Sequence, residues 1–553
     1  MEGHVIVCGF GHLGQSIVQL LLSLNETVVV ITEEVRRTAA VSLDAPGLRV
    51  IRADARDRAA LEEACVTTAR SVIAAADDDL TNIEIALDIA RLAPSVPVVV
   101  RLFDQNLARM LEKSFDVRRA LAMSAIAAPI FASAALDEPL FARFRLGETS
   151  YVVAERKASS ATRAPIRESD GPDEEQVPLT LGHEQAGPAD ALLTSEDRWR
   201  RLSRQGARAE PPRAIRNLAA ALHWPLRMWR GAPLAMRITF GLLVLLTAVS
   251  VLVFSVGLQL APLAAFYFMV TTITTTGYGD ITPVHANAPL KLYACFVMLL
   301  GSATTALFYS FFTDFIVAER FRRITQSPDV HERDHVIVVG LGRVGYRIVD
   351  ALRRLNIPTV GIDVNPAAPF VSEVRALAPV LIGDGRLRGA LAKAGISRAR
   401  ALLATTGNDA INLEVALAAR EEAKDVRVVS RLFDPAFASK VQGILPIEVA
   451  LSASRVAAPS FVASALFSHV LAAFVRGPDF VVVTEEEAPV AWAGRLAHEV
   501  SREDRVQLAF HWTGTAYTPV PKDARLRPRT RYVLVRRRDV VRELAATSTL
   551  AAR

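Results

Sequence analysis

Cysteine is scarce in this sequence, which contains only Cys8, Cys65 and Cys295 among its 553 residues. Their odd number and wide spacing exclude a disulfide framework, and without any CxxC pair a zinc site is not expected. Cys8 lies in a predicted apolar strand and Cys295 in a predicted apolar helix, so we expect both to be small buried side chains. We also expect no signal peptide, because a predicted strand begins at Val5. The first domain is therefore expected to stay in the cytoplasm.

The long stretch Ile238–Gly279 contains no charged residue, and it separates the charged regions before and after it. Within it, Ile238–Leu260 is long enough to cross the hydrocarbon core of a bilayer as one helix. Pro262 suits the first turn of a shorter helix, predicted over Leu263–Thr274. A second uncharged run, Leu292–Thr313, is again long enough to span. The order long helix, short helix, glycine-rich loop, long helix predicts an all-α module with two transmembrane helices.

Basic residues flank this module on its outer sides and predict its orientation. Lys291 is the one Lys or Arg between the two spans, whereas six arginines lie just outside them: Arg227, Arg230, Arg237, Arg320, Arg322 and Arg323. Both outer flanks are therefore expected in the cytoplasm of a multi-pass protein of the cell (inner) membrane. The net charge of the chain is +6. Because arginines cluster beside the apolar spans, this positive charge indicates contact with a membrane surface, and nucleic acid is not an expected partner.

The loop between the helices carries the motif with the clearest chemistry, Thr275-Thr276-Gly277-Tyr278-Gly279-Asp280. A potassium filter replaces the water shell of the ion with backbone carbonyls that point to one axis, and alternate glycines permit this geometry. We expect K⁺ at Thr275, Thr276, Gly277 and Tyr278, with Asp280 at the outer mouth. One strand cannot surround an ion, so a homotetramer is expected. Gly301, inside the second span, is either a gating hinge or a close-packing glycine.

The regions before and after the module repeat each other near a constant offset of about 330 residues. Five blocks match, beginning at Gly9, Asp54, Asn82, Arg101 and Ala127 in the first copy and at Gly340, Asp384, Asn412, Arg431 and Ala457 in the second. Each copy alternates short apolar strands with helical stretches, which predicts a parallel, doubly wound sheet. In the second copy the predicted strands are Val336–Val339, Thr359–Ile362, Val380–Ile382, Ala401–Ala404 and Arg427–Ser430.

A glycine motif opens the first helix of each copy. Its residues are Gly9, Gly11 and Gly14 in the first copy and Gly340, Gly342, Arg343, Val344 and Gly345 in the second. After a strand and before a helix, such glycines permit a pyrophosphate to approach the backbone. Asp363 is placed to hold a ribose hydroxyl, and Asp384 is a second candidate on the adenosine side. The first copy has Thr32 in place of Asp363, with Glu33 one residue further on, so we expect the second copy to bind a nucleotide more strongly and the first to be either empty or differently selective. Arg36 and Arg37 would favour a more anionic nucleotide in the first copy, although a surface helix turn is the expected role for them.

Residues 236–315 closely resemble two-transmembrane potassium channels, although Thr276 stands where that family usually has valine or isoleucine. The two copies resemble RCK (TrkA-N, or KTN) domains, the regulators of potassium conductance, through the glycine motifs, Asp54, Asp384 and Arg431. The resemblance implies a ligand-gated potassium channel with cytoplasmic Rossmann-like domains that bind NAD(H) or an adenine nucleotide. Calcium is a weaker possibility at the acidic residues 77–79.

The predicted domains are a first RCK N-lobe (1–136), a degenerate C-lobe with a polar linker (137–215), the pore module (216–325), a second RCK N-lobe (333–466) and a small α+β C-lobe (467–553). A regulator of potassium uptake or a less selective monovalent cation channel are the alternatives. A dehydrogenase would share the Rossmann-like fold, but the sequence shows no substrate lobe with a placed proton donor, and an enzyme is not expected.

Overall fold

The structure is a computed structural model of the full chain. It describes residues 2–34, 43–103, 105–114, 117–138, 140–155, 176–179, 191–197, 234–325, 330, 332–445 and 447–539. Trp224 and Trp229, which would suit an interfacial aromatic belt, lie outside the described residues, as do Arg36, Arg37 and residues 156–175 and 198–215 of the predicted degenerate lobe and linker. Contacts divide the chain into two compact units, one formed by residues 1–206 with 329–553 and the other by residues 207–328.

The first copy is a Rossmann-like lobe with a six-stranded, wholly parallel sheet in the order β3-β2-β1-β4-β5-β6. Its strands are β1 (Val5–Cys8), β2 (Val28–Ile31), β3 (Leu48–Ile51), β4 (Ser71–Ala74), β5 (Val98–Arg101) and β6 (Arg119–Leu121). Its helices are α1 (His12–Ser23), α2 (Arg58–Glu63), α3 (Asp79–Leu92), α4 (Gln105–Ser114) and α5 (Met123–Ala135). Four of these strands are buried along their whole length, which explains their nearly continuous runs of valine and isoleucine.

After α5 the first copy continues into an antiparallel sheet of four strands in the order β7-β8-β10-β9. These strands are β7 (Leu140–Leu146), β8 (Thr149–Glu155), β9 (Gln176–Leu179) and β10 (Ala191–Ser195). The lobe that the sequence indicated only weakly is therefore a defined sheet in the described residues. The extent predicted for it, residues 137–215, stays a prediction.

The other unit holds three helices, α6 (Leu234–Gly257), α7 (Pro262–Ile273) and α8 (Ala288–Thr325). Helices α6 and α8 are long and apolar enough to cross a membrane. Pro262 lies in the first turn of α7, as the sequence predicted. A small core joins the three helices, with Phe254 packed edge-on against Phe268.

The second copy repeats the first lobe, again with six strands in the order β13-β12-β11-β14-β15-β16. Its strands are β11 (His335–Val339), β12 (Thr359–Asp363), β13 (Val380–Ile382), β14 (Ala399–Ala404), β15 (Arg427–Arg431) and β16 (Val449–Leu451). Its helices are α9 (Arg343–Arg354), α10 (Val371–Leu377), α11 (Arg388–Lys393), α12 (Asp409–Glu422), α13 (Pro435–Ile444) and α14 (Ala453–Leu466). All five predicted strands are present, and the short edge strand β16 was missed.

The C-terminal lobe is a five-stranded antiparallel sheet in the order β17-β18-β21-β19-β20. Its strands are β17 (Val470–Arg476), β18 (Asp479–Glu487), β19 (Val506–Trp512), β20 (Tyr517–Pro519) and β21 (Arg531–Asp539), with helix α15 (Ala497–Glu503) between β18 and β19. The predicted fold class is confirmed: the described chain has two Rossmann-like lobes, two small lobes and a helical module.

The two copies share one hydrophobic core instead of folding separately. Helix α5 of the first copy packs on α9 of the second, and α14 of the second packs on α1 of the first. The two small sheets also share a core, in which Phe141 stacks on Phe474 with ring centroids 5.3 Å apart. Because each copy supplies helices to the other, a change in one copy is transmitted through packed side chains.

Polar contacts repeat across this interface with approximate two-fold symmetry. The Arg70 guanidinium donates to the Leu466 carbonyl at 3.1 Å, and the equivalent Arg400 donates to the Leu136 carbonyl at 3.1 Å. Glu26 adds an asymmetric contact, because its carboxylate pairs with both Arg70 and Arg538. The interface therefore fixes the two copies in one relative arrangement.

Candidate pore loop and nucleotide sites

The loop after α7 has the alternating backbone that carbonyl coordination requires. Thr275, Gly277 and Gly279 have φ values of +61°, +52° and +77°, and the residues between them do not have positive φ. Alternation between left-handed and right-handed dihedrals turns successive carbonyls toward the same side of the strand. Glycine accepts the left-handed conformation at little cost, which explains two of these three positions.

Hydrogen bonds tie this loop to the helix that precedes it. The amides of Thr276 and Gly277 both donate to the Thr271 carbonyl, at 2.9 and 3.1 Å. The hydroxyls of Thr274 and Thr276 lie 2.9 Å apart and share a hydrogen bond. The start of the loop is thus supported by the short helix.

Gly301 lies in the continuous helix α8, where it faces the end of α7. A β-carbon at Gly301 would lie 3.2 Å from Cγ1 of Ile273, so the glycine permits close packing of the two helices. Its role as a hinge stays a prediction. The expectation for Cys295 was wrong, because its side chain is exposed on α8, whereas the neighbouring Ala294 packs into the helical core.

The glycine loop of the second copy borders a cavity of about 490 Å³ at the carboxyl ends of β11, β12 and β14. Gly340 has a φ of +90°, and a β-carbon there would lie 2.8 Å from the Thr406 amide nitrogen. A β-carbon at Gly345 would lie 2.0 Å from the Gly340 carbonyl oxygen, whereas one at Gly342 would meet nothing within 4 Å. The first and third glycines are therefore required by the fold, and the second leaves space at the mouth of the cavity.

The side chains predicted for the second site converge on this cavity. Arg343, Val344, Asp363, Asp384 and Arg431 all line it. Asp363 lies at the end of β12, and its carboxylate accepts the Leu341 amide at 2.7 Å. This contact places a carboxylate beside the glycine loop, as recognition of a ribose hydroxyl requires.

Asp384 is already engaged with a cation. Its carboxylate accepts from Arg386 Nε at 3.0 Å and from Nη2 at 2.7 Å, and Arg386 also pairs with Glu414. The hydrogen bonds from Arg386 hold the pKa of Asp384 below its ordinary value. The first copy repeats the arrangement, with Asp54 bound by Arg56, which also pairs with Glu84. These aspartates therefore shape both cavities as parts of ion-pair networks.

Arg431 is a largely buried cation at the inner wall of the second cavity. Its guanidinium carbon lies 4.3 Å from the centre of the Phe433 ring, and burial lowers the pKa of Arg431 to about 10. Among the described residues, its guanidinium has no ion pair. A desolvated cation of this kind favours an anionic ligand.

The first copy has a smaller cavity, of about 290 Å³, in the equivalent place. Gly9 and Gly14 repeat the tight contacts of Gly340 and Gly345, and Gly11 and Asp54 also line this cavity. No acid stands at the position that corresponds to Asp363, although Glu33 and Glu34 follow closely and line the cavity. Thr32 stands there instead, and its hydroxyl donates to the Glu34 carbonyl at 2.9 Å.

The acidic residues 77–79 each have a partner in the structure. Asp77 pairs with Arg101 at 2.7 Å, Asp78 caps α3 by accepting the Thr81 amide, and Asp79 accepts the Phe103 amide. No group of acidic, cysteine or histidine side chains among the described residues is arranged to hold a metal ion. The arrangement therefore lends calcium binding no support.

Residues of the first copy also line the cavity of the second. Phe103, Met123 and Ser124 belong to the wall of that cavity, and the Arg343 guanidinium carbon lies 4.0 Å from the centre of the Phe103 ring. Reciprocally, His12 packs on Phe433, with ring centroids 5.2 Å apart. Sequence reasoning missed these contacts because it treated the copies as separate domains. The equivalent positions of Phe103 and Phe433 in the repeat were the available signal.

Asn82 and Asn412 were recognised only as marks of the repeat, and the structure gives them a role. The Asn412 side chain accepts the Thr406 amide at 2.8 Å and donates to the Arg431 carbonyl at 2.9 Å. Asn82 makes the same contacts with Ala76 and Arg101. Each asparagine therefore joins the ends of two adjacent strands and supports the floor of the site.

Comparison with known proteins matches these regions to two families. The TrkA-N domain matches residues 5–121 and again 336–452, and the ion channel family matches residues 239–318. The probable potassium channel protein 2 of Methanocaldococcus jannaschii is 31% identical over 178 residues, which are 30% of this chain and 50% of that protein. The voltage-gated potassium channel Kch of Escherichia coli is 30% identical over 189 residues, 33% of this chain and 45% of that protein. The chain spans about half the length of these curated relatives.

Solved structures of similar fold include the GsuK channel, with a TM-score of 0.51 and 16% identity over 100% of this chain and 80% of that one. The GsuK channel bound to NAD gives a TM-score of 0.50 and 15% identity over the same shares. At this level of identity the likeness concerns the fold.

Proposed function

This chain carries two TrkA-N domains, one on each side of an ion channel domain, and we propose on that premise that it is a subunit of a nucleotide-gated potassium channel. The observation that carries the proposal is the loop Thr275–Gly279, in which every second residue has a positive φ. Relatives named as potassium channels support it. In this function the chain conducts an ion and catalyses no reaction.

The pore forms when four copies of the chain place their loops around one axis. A single loop offers carbonyls on one side only, and a dehydrated K⁺ needs oxygen ligands all around it. Tyr278 is 71% exposed in the single chain, and a neighbouring subunit would cover such a side chain. Helices α6 and α8 cross the membrane of the cell, and both TrkA-N domains lie in the cytoplasm, as the arginines outside the spans require.

The regulatory ligand is NAD(H) or a related adenine nucleotide bound in the second copy. Its diphosphate would meet Gly342 and Arg431, and Asp363 would hold a ribose hydroxyl. The GsuK channel, which has a similar fold, has been solved with NAD. Because Phe103 and Met123 of the first copy line this cavity, binding would change the contacts between the two copies.

Flux through liposomes that contain the purified full-length protein tests the ion and the site together. We expect K⁺ flux without any partner protein and little Na⁺ flux. Gly277→Ala should abolish it, since alanine is strained at a φ of +52°. The matched control is Gly241→Ala in α6, where a β-carbon meets nothing within 4 Å. Flux that needs an added partner would favour a regulator of potassium uptake, and equal Na⁺ flux would favour a less selective cation channel.

A further inference from the structure

The two copies differ most sharply at the second glycine of the loop. A β-carbon at Gly342 would meet nothing within 4 Å, whereas one at Gly11 would lie 3.0 Å from Oδ2 and 3.4 Å from Oδ1 of Asp77. The second glycine is the position at which a Rossmann-type loop admits a pyrophosphate. In the first copy, a carboxylate already stands at that approach.

The Asp77 carboxylate is held there by a buried cation. Arg101 donates from Nη1 to Oδ1 of Asp77 at 2.7 Å, and the side chain of Arg101 is only 6% exposed. Arg101 corresponds to Arg431 of the second copy. The same guanidinium is thus paired directly with a carboxylate in the first copy, whereas in the described part of the second copy Asp409 acts on Arg431 without forming an ion pair with it.

The residue that corresponds to Asp77 in the second copy is Gly407, which also lines its cavity. A β-carbon at Gly407 would meet nothing within 4 Å, and its φ is not positive. The position therefore accepts an aspartate without strain. The two copies can consequently be exchanged at this single position while the glycine loops stay intact.

We propose that Asp77 is a specificity-determining residue, an internal anion that closes the phosphate position of the first copy and restricts nucleotide binding to the second. The proposal rests on the proposed function, since it concerns the same class of ligand. The Asp77 side chain is 66% exposed, so solvent screens part of the repulsion between like charges, and we expect the first copy to lose about tenfold in affinity for a diphosphate. Glu33 and Glu34, which also line the first cavity, add to this repulsion.

Calorimetry of the full-length protein in detergent tests the proposal, with NAD⁺ as the probe. Asp77→Gly should add a second nucleotide per chain, and Gly407→Asp should remove the nucleotide that the wild type binds. The double variant should again bind one nucleotide per chain, now in the first copy, and about tenfold to a hundredfold more weakly than the wild type because Thr32 offers the ribose no carboxylate. Asp77→Asn is a second route, because it removes the charge and keeps the side-chain volume if Asp77→Gly fails to fold.

Asp78→Asn is the matched control. It removes one negative charge from the same loop and keeps a residue that caps α3, as the corresponding Asn408 caps α12. It should leave the number of bound nucleotides unchanged. The proposal is overturned if folded Asp77→Gly and Asp77→Asn both bind no more than the wild type, or if Gly407→Asp keeps full affinity.

A wild-type protein that binds no NAD⁺ would contradict the proposed ligand and would leave this inference to be decided with inorganic pyrophosphate. The same gain on Asp77→Gly and the same loss on Gly407→Asp are then expected. Pyrophosphate binding that does not differ between these variants and the wild type would overturn the inference.

Discussion

The two glycine loops of this chain share their backbone and differ in the side chains that face a ligand. Gly9 and Gly340 both have positive φ, and a β-carbon at Gly14 or Gly345 would lie 2.1 or 2.0 Å from the carbonyl oxygen of that glycine. The residues that the fold requires are therefore the same in both copies. Thr32 and Asp77 of the first copy correspond to Asp363 and Gly407 of the second, and each of the four lines the cavity of its own copy. At these positions the two copies differ on the side that a ligand would contact.

The largest expected effect tests the shared part of the comparison. Gly345→Ala should destabilise the protein by about 3 kcal/mol or more, because its β-carbon would overlap a backbone carbonyl that cannot move away. Gly14→Ala should behave in the same way in the first copy. Thermal unfolding of the purified variants measures both, with Gly342→Ala as the unstrained control. Equal stability of Gly345→Ala and Gly342→Ala would show that the tight turn is not required.

The next effect concerns how each copy is connected to the helical module in the sequence. Only nine residues separate the end of α8 at Thr325 from the start of β11 at His335. A flexible insertion within 326–329 should abolish most of the nucleotide response of the current and leave K⁺ selectivity intact. The same insertion within 198–215 should have a much smaller effect. Electrophysiology of both variants decides this. If the first insertion leaves the response unchanged, the second copy does not open the pore by pulling on α8 through this short connection.

Asp363→Ala sharpens the contrast on the ligand side. Loss of a charge-assisted hydrogen bond to ribose should cost about 1.5–3 kcal/mol, which is about tenfold to a hundredfold in affinity for NAD⁺. Thr32→Ala in the first copy is the matched change and should leave binding as it is. Calorimetry on the full-length protein compares the two. If NAD⁺ binding survives Asp363→Ala at full strength, or if Gly11→Val in the first copy removes it, the copies have been assigned the wrong way round.

The smallest expected effect is a pH dependence of stability that comes from His335 at the start of β11. His335 is buried and bonded to the Ala394 carbonyl at 2.8 Å, and burial lowers its pKa from the ordinary value of 6.5. As the pH falls, the unfolded chain therefore binds a proton at His335 at a higher pH than the folded chain does. The free energy of unfolding keeps the full contribution of the neutral histidine above pH 6.5 and loses it as the pH falls from 6.5 through the folded pKa. Unfolding midpoints should drop by a few degrees below pH 6.5 in the wild type and less in His335→Gln. An equal drop in both proteins would exclude His335 as the cause.

The sequence predicted the Rossmann-like lobes well because their strands are buried on both faces and are therefore continuously apolar. It missed β16, which lies at the edge of its sheet and has only three residues, all partly exposed. Such a short strand shows no distinctive pattern of apolar residues. The helices α6 and α8 were found because a membrane requires long uncharged runs. Cys295 was misplaced because an apolar helix does not reveal which of its faces is packed.

The candidate sites were predictable to the extent that they depend on local backbone. Gly277, Gly340 and Asp363 belong to short sequence motifs, so the residue spacing was enough to select them as candidate site residues. The role of Asp77 could not be predicted, since it depends on the contact of Asp77 with Gly11, 66 residues away, and on the ion pair with Arg101. Likewise, the contact of Phe103 with Arg343 requires the two copies to share one core.

The most direct test of the account is a bilayer recording of the purified full-length channel in K⁺ and Na⁺, with and without NAD⁺ or NADH on the cytoplasmic side. We expect a K⁺-selective current in the wild type whose open probability changes with nucleotide, and a current of equal selectivity without that response in Asp363→Ala. A current that does not distinguish K⁺ from Na⁺, or a nucleotide response that Asp363→Ala leaves unchanged, would contradict the account.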